Sequence, residues 1–145
     1  IVGPIAAVRD EDTTDHHVEK MYPAVADFDL AYNALKVLEK ISKNTEIKVH
    51  KGIVLTTSST LSENPKWGEE WSLRNVIAAD GETSIIYTLA SLIGIPVINI
   101  FTVSDHVVRE EPKTMDKQLE EELDKVHDIT VKVAYEVLSR IAHNN

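Results

Sequence analysis

Two short acidic clusters carry the residue types from which a chemistry could be built. One is Asp80-Gly81-Glu82, directly after the apolar run Val76-Ile77-Ala78-Ala79. The other is Ser104-Asp105-His106, directly after the apolar stretch Pro96–Val103. Three chemistries fit carboxylates placed in this way. The first is capping: a carboxylate at a helix N-terminus is stabilised by ~0.3–1 kcal/mol, and Asp80 is positioned for it. The second is a divalent cation held by carboxylates, although no glycine-rich phosphate cradle accompanies them and no metal site is expected. The third is sugar recognition coupled to acid catalysis. An ionised carboxylate accepts two hydrogen bonds at once and so can grip a vicinal diol. A second carboxyl group, protonated, can donate to a leaving group as negative charge builds on it.

The remaining candidates carry less. His106 either orients Asp105 or is an ordinary polar loop residue. His16 and His17 are adjacent in an acid-rich loop and read as solvated. Trp67 and Trp71 are four apart, which reads as one packed helix face rather than a stacking platform. No Gly-x-Ser-x-Gly, His-Glu-x-x-His or Walker sequence is present. The absence of cysteine excludes a cysteine nucleophile, a thiolate metal site and a disulfide framework.

Composition narrows the class further. The chain has 145 residues, about one domain's worth, with 43% hydrophobic and 27% charged residues and only 5 Gly and 5 Pro. That excludes a disordered or low-complexity chain. The net charge of −9, with no long basic run, makes nucleic acid a poor partner. No apolar run reaches the ~18 residues of a membrane span; Ile95–Val103 is broken by Pro96, Asn99 and Thr102. No signal peptide is readable, and a cytoplasmic protein is expected.

Elements must position these residues. Ile1–Val8 reads as an interior strand, and a domain opening on such a strand is expected to lack what preceded it. Arg9–Tyr22 reads as a polar loop. A helix is predicted from Phe28 to Ser42 with Asp27 as N-cap, because Phe28, Ala31, Leu35, Leu38 and Ile41 recur at helical spacing. Glu46–Thr56 reads as a strand, Thr57–Asn64 as a hydroxyl-rich loop and Pro65–Leu73 as a short helix. Val76–Ala79 as strand, Thr83–Ile93 as helix closed by Gly94, and Pro96–Val103 as buried strand predict a βαβ unit. A last helix is predicted from Lys113 to Ala142, with Met115, Leu119, Leu123, Val126, Val133, Val137 and Ile141 as its buried stripe. The class is α/β. In such sheets ligands bind beyond the carboxyl ends of parallel strands. If the two strands lie close, with strand spacing of ~4.8 Å, Asp80, Glu82 and Asp105 converge at one rim.

Three segments carry a resemblance: Ala6-Ala7-Val8-Arg9-Asp10-Glu11, Tyr22-Pro23-Ala24-Val25-Ala26-Asp27-Phe28-Asp29-Leu30, and Thr102-Val103-Ser104-Asp105-His106-Val107. Together, in this order, they resemble the nucleoside phosphorylases of the purine and uridine phosphorylase superfamily, along essentially the whole chain. The resemblance implies a mixed, largely parallel central sheet flanked by helices. It implies residues 1–145 as a single phosphorylase-like domain lacking its N-terminal phosphate-binding part, since the family's phosphate ligands lie upstream of the position matching Ile1. It assigns to Asp105 the acid that serves a purine N7. The family's Glu-Met-Glu motif matches Asp80-Gly81-Glu82, which gives Glu82 the ribose 2′- and 3′-hydroxyls. Asp80, Gly81 and Ser104 follow as lesser substrate contacts, and Lys117 or Lys113 stands where purine-type members place an arginine. Two departures stand out: Gly81 replaces the Met that backs the sugar, and Thr57-Ser58-Ser59-Thr60-Leu61 holds no aromatic.

The implied activity is phosphorolysis of a purine nucleoside, with inorganic phosphate as co-substrate and no other cofactor. A phosphate-independent nucleosidase and a non-catalytic nucleoside-binding paralogue are the alternatives. The family also implies a homo-oligomer built on dimers, up to a hexamer, or a second chain supplying the missing half. Asp12–His17, a polar loop not expected to support itself, is the candidate intersubunit contact.

Overall fold

The computed structural model describes residues 1–59, 63–107 and 117–142, with the side chains of 117–120 and 140–142 excepted. Its elements, in chain order, are β1 (Val2–Asp10), β2 (Ala24–Val25), α1 (Phe28–Asn44), β3 (His50–Thr57), α2 (Pro65–Ser72), β4 (Val76–Asp80), α3 (Thr83–Leu92) and α4 (Lys117–Ala142). One sheet of order β2-β1-β3-β4 runs through them. β1, β3 and β4 are parallel neighbours, and β2 alone runs antiparallel. The mixed, largely parallel sheet is therefore as expected.

The helices follow local rules. Asp27 caps α1, its side chain accepting from the Leu30 N–H at 2.9 Å. Asn64 caps α2 by accepting from the Trp67 N–H at 3.1 Å, and Pro65 opens that helix where its missing N–H costs nothing. Gly94 closes α3 with φ +69, a left-handed conformation that glycine adopts freely. The main core lies between α1 and α4: Ala34, Val37, Leu38, Val133 and Val137 are buried there with Ile1. Of the stripe expected on α4, Val126, Val133 and Val137 pack inward as read. Met115 lies outside the described residues, as does Lys113, and the side chains of Leu119 and Ile141 are not described.

The βαβ unit expected through α3 is not made. Pro96–Val103 is not a strand; Phe101 alone bridges Val2, and antiparallel. The reason lies in where its backbone groups go. Pro96 has no N–H to give, the Val97 carbonyl accepts from the Asp27 N–H at 2.8 Å, and the Asn99 N–H donates to the Tyr87 hydroxyl at 3.1 Å. The parallel crossovers run instead from β1 through α1 to β3 and from β3 through α2 to β4. The third strand also begins later than read, at His50 rather than Glu46.

The loop after β1 is not merely polar and solvated. β1 extends to Asp10, and Glu11 and Thr14 are buried. Arg9, its side chain 4% exposed, donates to the Thr14 hydroxyl, to Asp15 at 3.0 Å and to the Glu19 carbonyl at 2.6 Å. The loop expected to need outside support thus folds around its own arginine. His16 and His17 are exposed, as read.

Candidate functional site

One cavity of about 870 Å³ collects both acidic clusters. Its floor is β4, one wall is α2, and the rim is the first turn of α3 together with the segment that follows Asn99. Asp80, Glu82, Ser104, Asp105 and His106 all line it. The convergence at one rim is therefore realised, although Pro96–Val103 delivers Asp105 as an extended segment rather than as a strand. Gly81 is not among the lining residues, and the Lys117 side chain is not described. Among the described residues, no three His, Asp or Glu side chains gather as a metal set.

The three carboxylates differ in what already holds them. Asp80 is spoken for by the fold. Its Oδ1 accepts from the Thr56 hydroxyl at 2.8 Å and the Thr83 N–H at 3.2 Å, and its Oδ2 from the Thr83 hydroxyl. It satisfies the first amide of α3 from two residues before the N-cap, the first of the three chemistries read from sequence. Glu82, at the N-cap position of α3, is exposed and takes the Gly81 N–H at 3.2 Å. Asp105 is exposed and accepts from the Ser104 hydroxyl at 3.1 Å.

Behind the rim a buried polar chain locks α3 to the sheet. The Ser84 N–H donates to the Thr56 hydroxyl at 2.8 Å, which in turn donates to Asp80. The Ser84 hydroxyl donates to Glu11, which also receives the Thr14 N–H at 3.0 Å and Arg9. Burial alone would push the Glu11 carboxyl up. The hydrogen bonds from Thr14, Ser84 and Arg9 outweigh it and hold the group below its ordinary value. Asn99 donates to the Thr83 hydroxyl at 2.7 Å, tying the segment that leads to Asp105 to the turn that carries Glu82. Tyr87, fully buried, donates to the Pro4 carbonyl at 2.6 Å. Burial pushes its hydroxyl up to about 12; the Asn99 N–H opposes this and the Asp80 charge adds to it.

The chain matches the sequence model of the phosphorylase superfamily over residues 2–143. It belongs to that superfamily. Among its relatives, the DeoD-type purine nucleoside phosphorylase of Buchnera aphidicola subsp. Acyrthosiphon pisum (strain Tuc7) is 33% identical over 127 residues, covering 76% of this chain and 53% of that protein. The DeoD-type purine nucleoside phosphorylase of Geobacillus kaustophilus is 30% identical over 128 residues, covering 81% and 52%. The chain thus spans about half the length of the curated relatives it matches. Among solved structures, uridine phosphorylase from Vibrio fischeri ES114 superposes with a TM-score of 0.74 at 23% identity, covering 96% of this chain and 55% of that one. AMP nucleosidase from Bacteroides thetaiotaomicron gives 0.72 at 19% identity, covering 99% and 56%. These two likenesses speak to the fold.

In this superfamily member, sequence reasoning missed several residues of the site. Trp67 and Trp71 share one face of α2 as read, but that face lines the cavity. Phe101 and Asn99 line it too, and neither was singled out. The tryptophan spacing was the available signal; it tells which residues share a face, not what the face meets.

Proposed function

We propose that this chain carries the nucleoside-binding part of a purine-type nucleoside phosphorylase. The reaction is reversible phosphorolysis: a phosphate oxygen bonds to C1′ of the ribose as the C1′–N bond breaks, giving ribose 1-phosphate and the free base. Glu82 accepts hydrogen bonds from the ribose 2′- and 3′-hydroxyls. Asp105 gives a proton to N7 of the purine as the base leaves, and Ser104 orients that carboxyl. The observation that carries this reading is that Glu82 and Asp105 line one cavity, with the Ser104 hydroxyl 3.1 Å from Asp105. Relatives 30–33% identical that are themselves DeoD-type purine nucleoside phosphorylases support purine over uridine. Asp80 serves by holding the turn beneath Glu82 rather than by touching substrate.

Phosphate is the co-substrate, and the protein works as a homo-oligomer built on dimers. Nucleoside turnover measured with and without phosphate tests the reaction. Ribose 1-phosphate formed only when phosphate is present supports it. Base released equally without phosphate marks a nucleosidase, and nucleoside binding without turnover marks a non-catalytic paralogue.

A further inference from the structure

The α2 wall of the cavity has no part in the chemistry of Glu82 and Asp105. It presents Trp67 and Trp71, the two tryptophans of the chain, one helical turn apart and both half-buried. The Arg74 guanidinium lies 5.1 Å from the Trp71 ring centroid, a cation–π contact that orients the indole. Indoles are the widest flat apolar side chains, and they are enriched at interfaces where one end is apolar and the other wet. The floor beside them, Val76 and Ala78, is apolar as well. A nucleobase has a flat π-face that matches an indole, whereas ribose and phosphate do not. At about 870 Å³ the cavity has room for both a sugar at Glu82 and a two-ring base beyond it.

We propose that Trp67 and Trp71 form the base-contacting wall of this cavity and favour a two-ring base over a one-ring base. The inference rests on the nucleoside reading of the site. Contact area decides the selectivity: a purine covers more of an indole than a pyrimidine, so the wall discriminates by size without a hydrogen bond. The loop Thr57–Leu61 has no aromatic residue, so the flat surface falls to α2. Phe101 also lines the cavity, with its backbone tied to Val2 by two hydrogen bonds of 2.8 and 3.0 Å. It is silent in tryptophan fluorescence, which separates its contribution.

The test pairs two measurements on the full chain. Calorimetry with inosine and with uridine gives affinities that do not depend on tryptophan. Emission of Trp67 and Trp71, titrated with hypoxanthine and with ribose, reports what sits against them. Hypoxanthine should alter the emission and ribose should not. Trp71→Leu should weaken inosine binding by about tenfold or more and uridine binding by less, narrowing the preference. Inosine binding with unchanged emission would overturn the inference and leave the nucleoside reading intact. So would a leucine variant of native circular dichroism that keeps the inosine-to-uridine ratio. Absence of any nucleoside binding by calorimetry would overturn both.

Discussion

The Ser84 hydroxyl donates to Glu11 Oε1 across 3.1 Å, joining residues 73 positions apart in the chain. Through it, the loop organised by Arg9 is fastened to the helix turn on which Glu82 stands. Glu11→Gln should lower stability at neutral pH by about 1–3 kcal/mol, because a buried carboxylate with several donors becomes an amide that satisfies fewer of them. The pH dependence follows from the depressed folded-state value. Stability from Glu11 is complete above its ordinary value near 4.5 and is lost as pH falls through the lower folded value. Urea midpoints measured from pH 7 down to pH 3 should fall less steeply in Glu11→Gln than in the parent. Parallel acid limbs would show that Glu11 is not the group.

Asp80 and Glu82, two residues apart, should respond in opposite ways. Asp80 Oδ1 and Oδ2 accept from Thr56 and from both the amide and the hydroxyl of Thr83, so Asp80→Asn should cost about 1–3 kcal/mol of stability. Glu82 is exposed and accepts from the adjacent Gly81 N–H. Glu82→Gln should therefore leave the melting temperature nearly unchanged while kcat/KM falls on the order of 10²-fold. Equal melting temperatures for both variants would refute the division of labour.

Asp105→Asn is expected to damage catalysis selectively. A natural purine nucleoside needs a proton on its base to depart; one methylated at N7 already carries the positive charge. The loss on inosine, divided by the loss on 7-methylguanosine, should exceed ~10, since positioned acid catalysis contributes ~10²–10⁴-fold. A ratio near one in a folded variant would remove Asp105 from the role of acid.

Tyr87 gives the alkaline counterpart of Glu11. Its value rises from 10.0 to about 12 in the fold. Between those limits the unfolded chain loses the proton while the folded chain keeps it, so stability falls as pH rises, by roughly 2–3 kcal/mol across the interval. Tyr87→Phe should start less stable at pH 8, having lost the bonds to Pro4 and Asn99. Its denaturation midpoint should then decline less between pH 10 and 12. An identical decline in both proteins would assign the alkaline transition elsewhere.

The parts of the fold that were legible in the sequence are those fixed by neighbours in the chain. Asp27 announces α1, Gly94 announces the end of α3, and the strand-end rule places Glu82 at the cavity beyond β4, which Asp105 reaches from a segment that is not a strand. Pro96–Val103 misled because apolar content does not say where backbone donors go, and here they go to Tyr87 and Val2. Arg9, Glu11 and Thr14 misled because charge and hydroxyl content read as solvation. Glu11 is also held by Ser84, a partner that no local window contains. The spacing of Trp67 and Trp71 puts them on one face, but not beside a cavity, since the cavity exists only once β4 and the segment after Asn99 come together.

Gly81 stands at the centre of the acidic cluster with open space around it: a Cβ built there meets nothing within 4 Å. The other strand-associated glycines are confined, Gly52 by Ile77 at 3.1 Å and Gly3 by Leu35 at 2.9 Å. In a saturation library, Gly3 and Gly52 should be depleted of replacements while position 81 accepts large ones, methionine included. The residue between the two carboxylates is thus an unencumbered place for variation to act, where descendants or engineers can add a side chain beside the cavity rim without first repairing the scaffold.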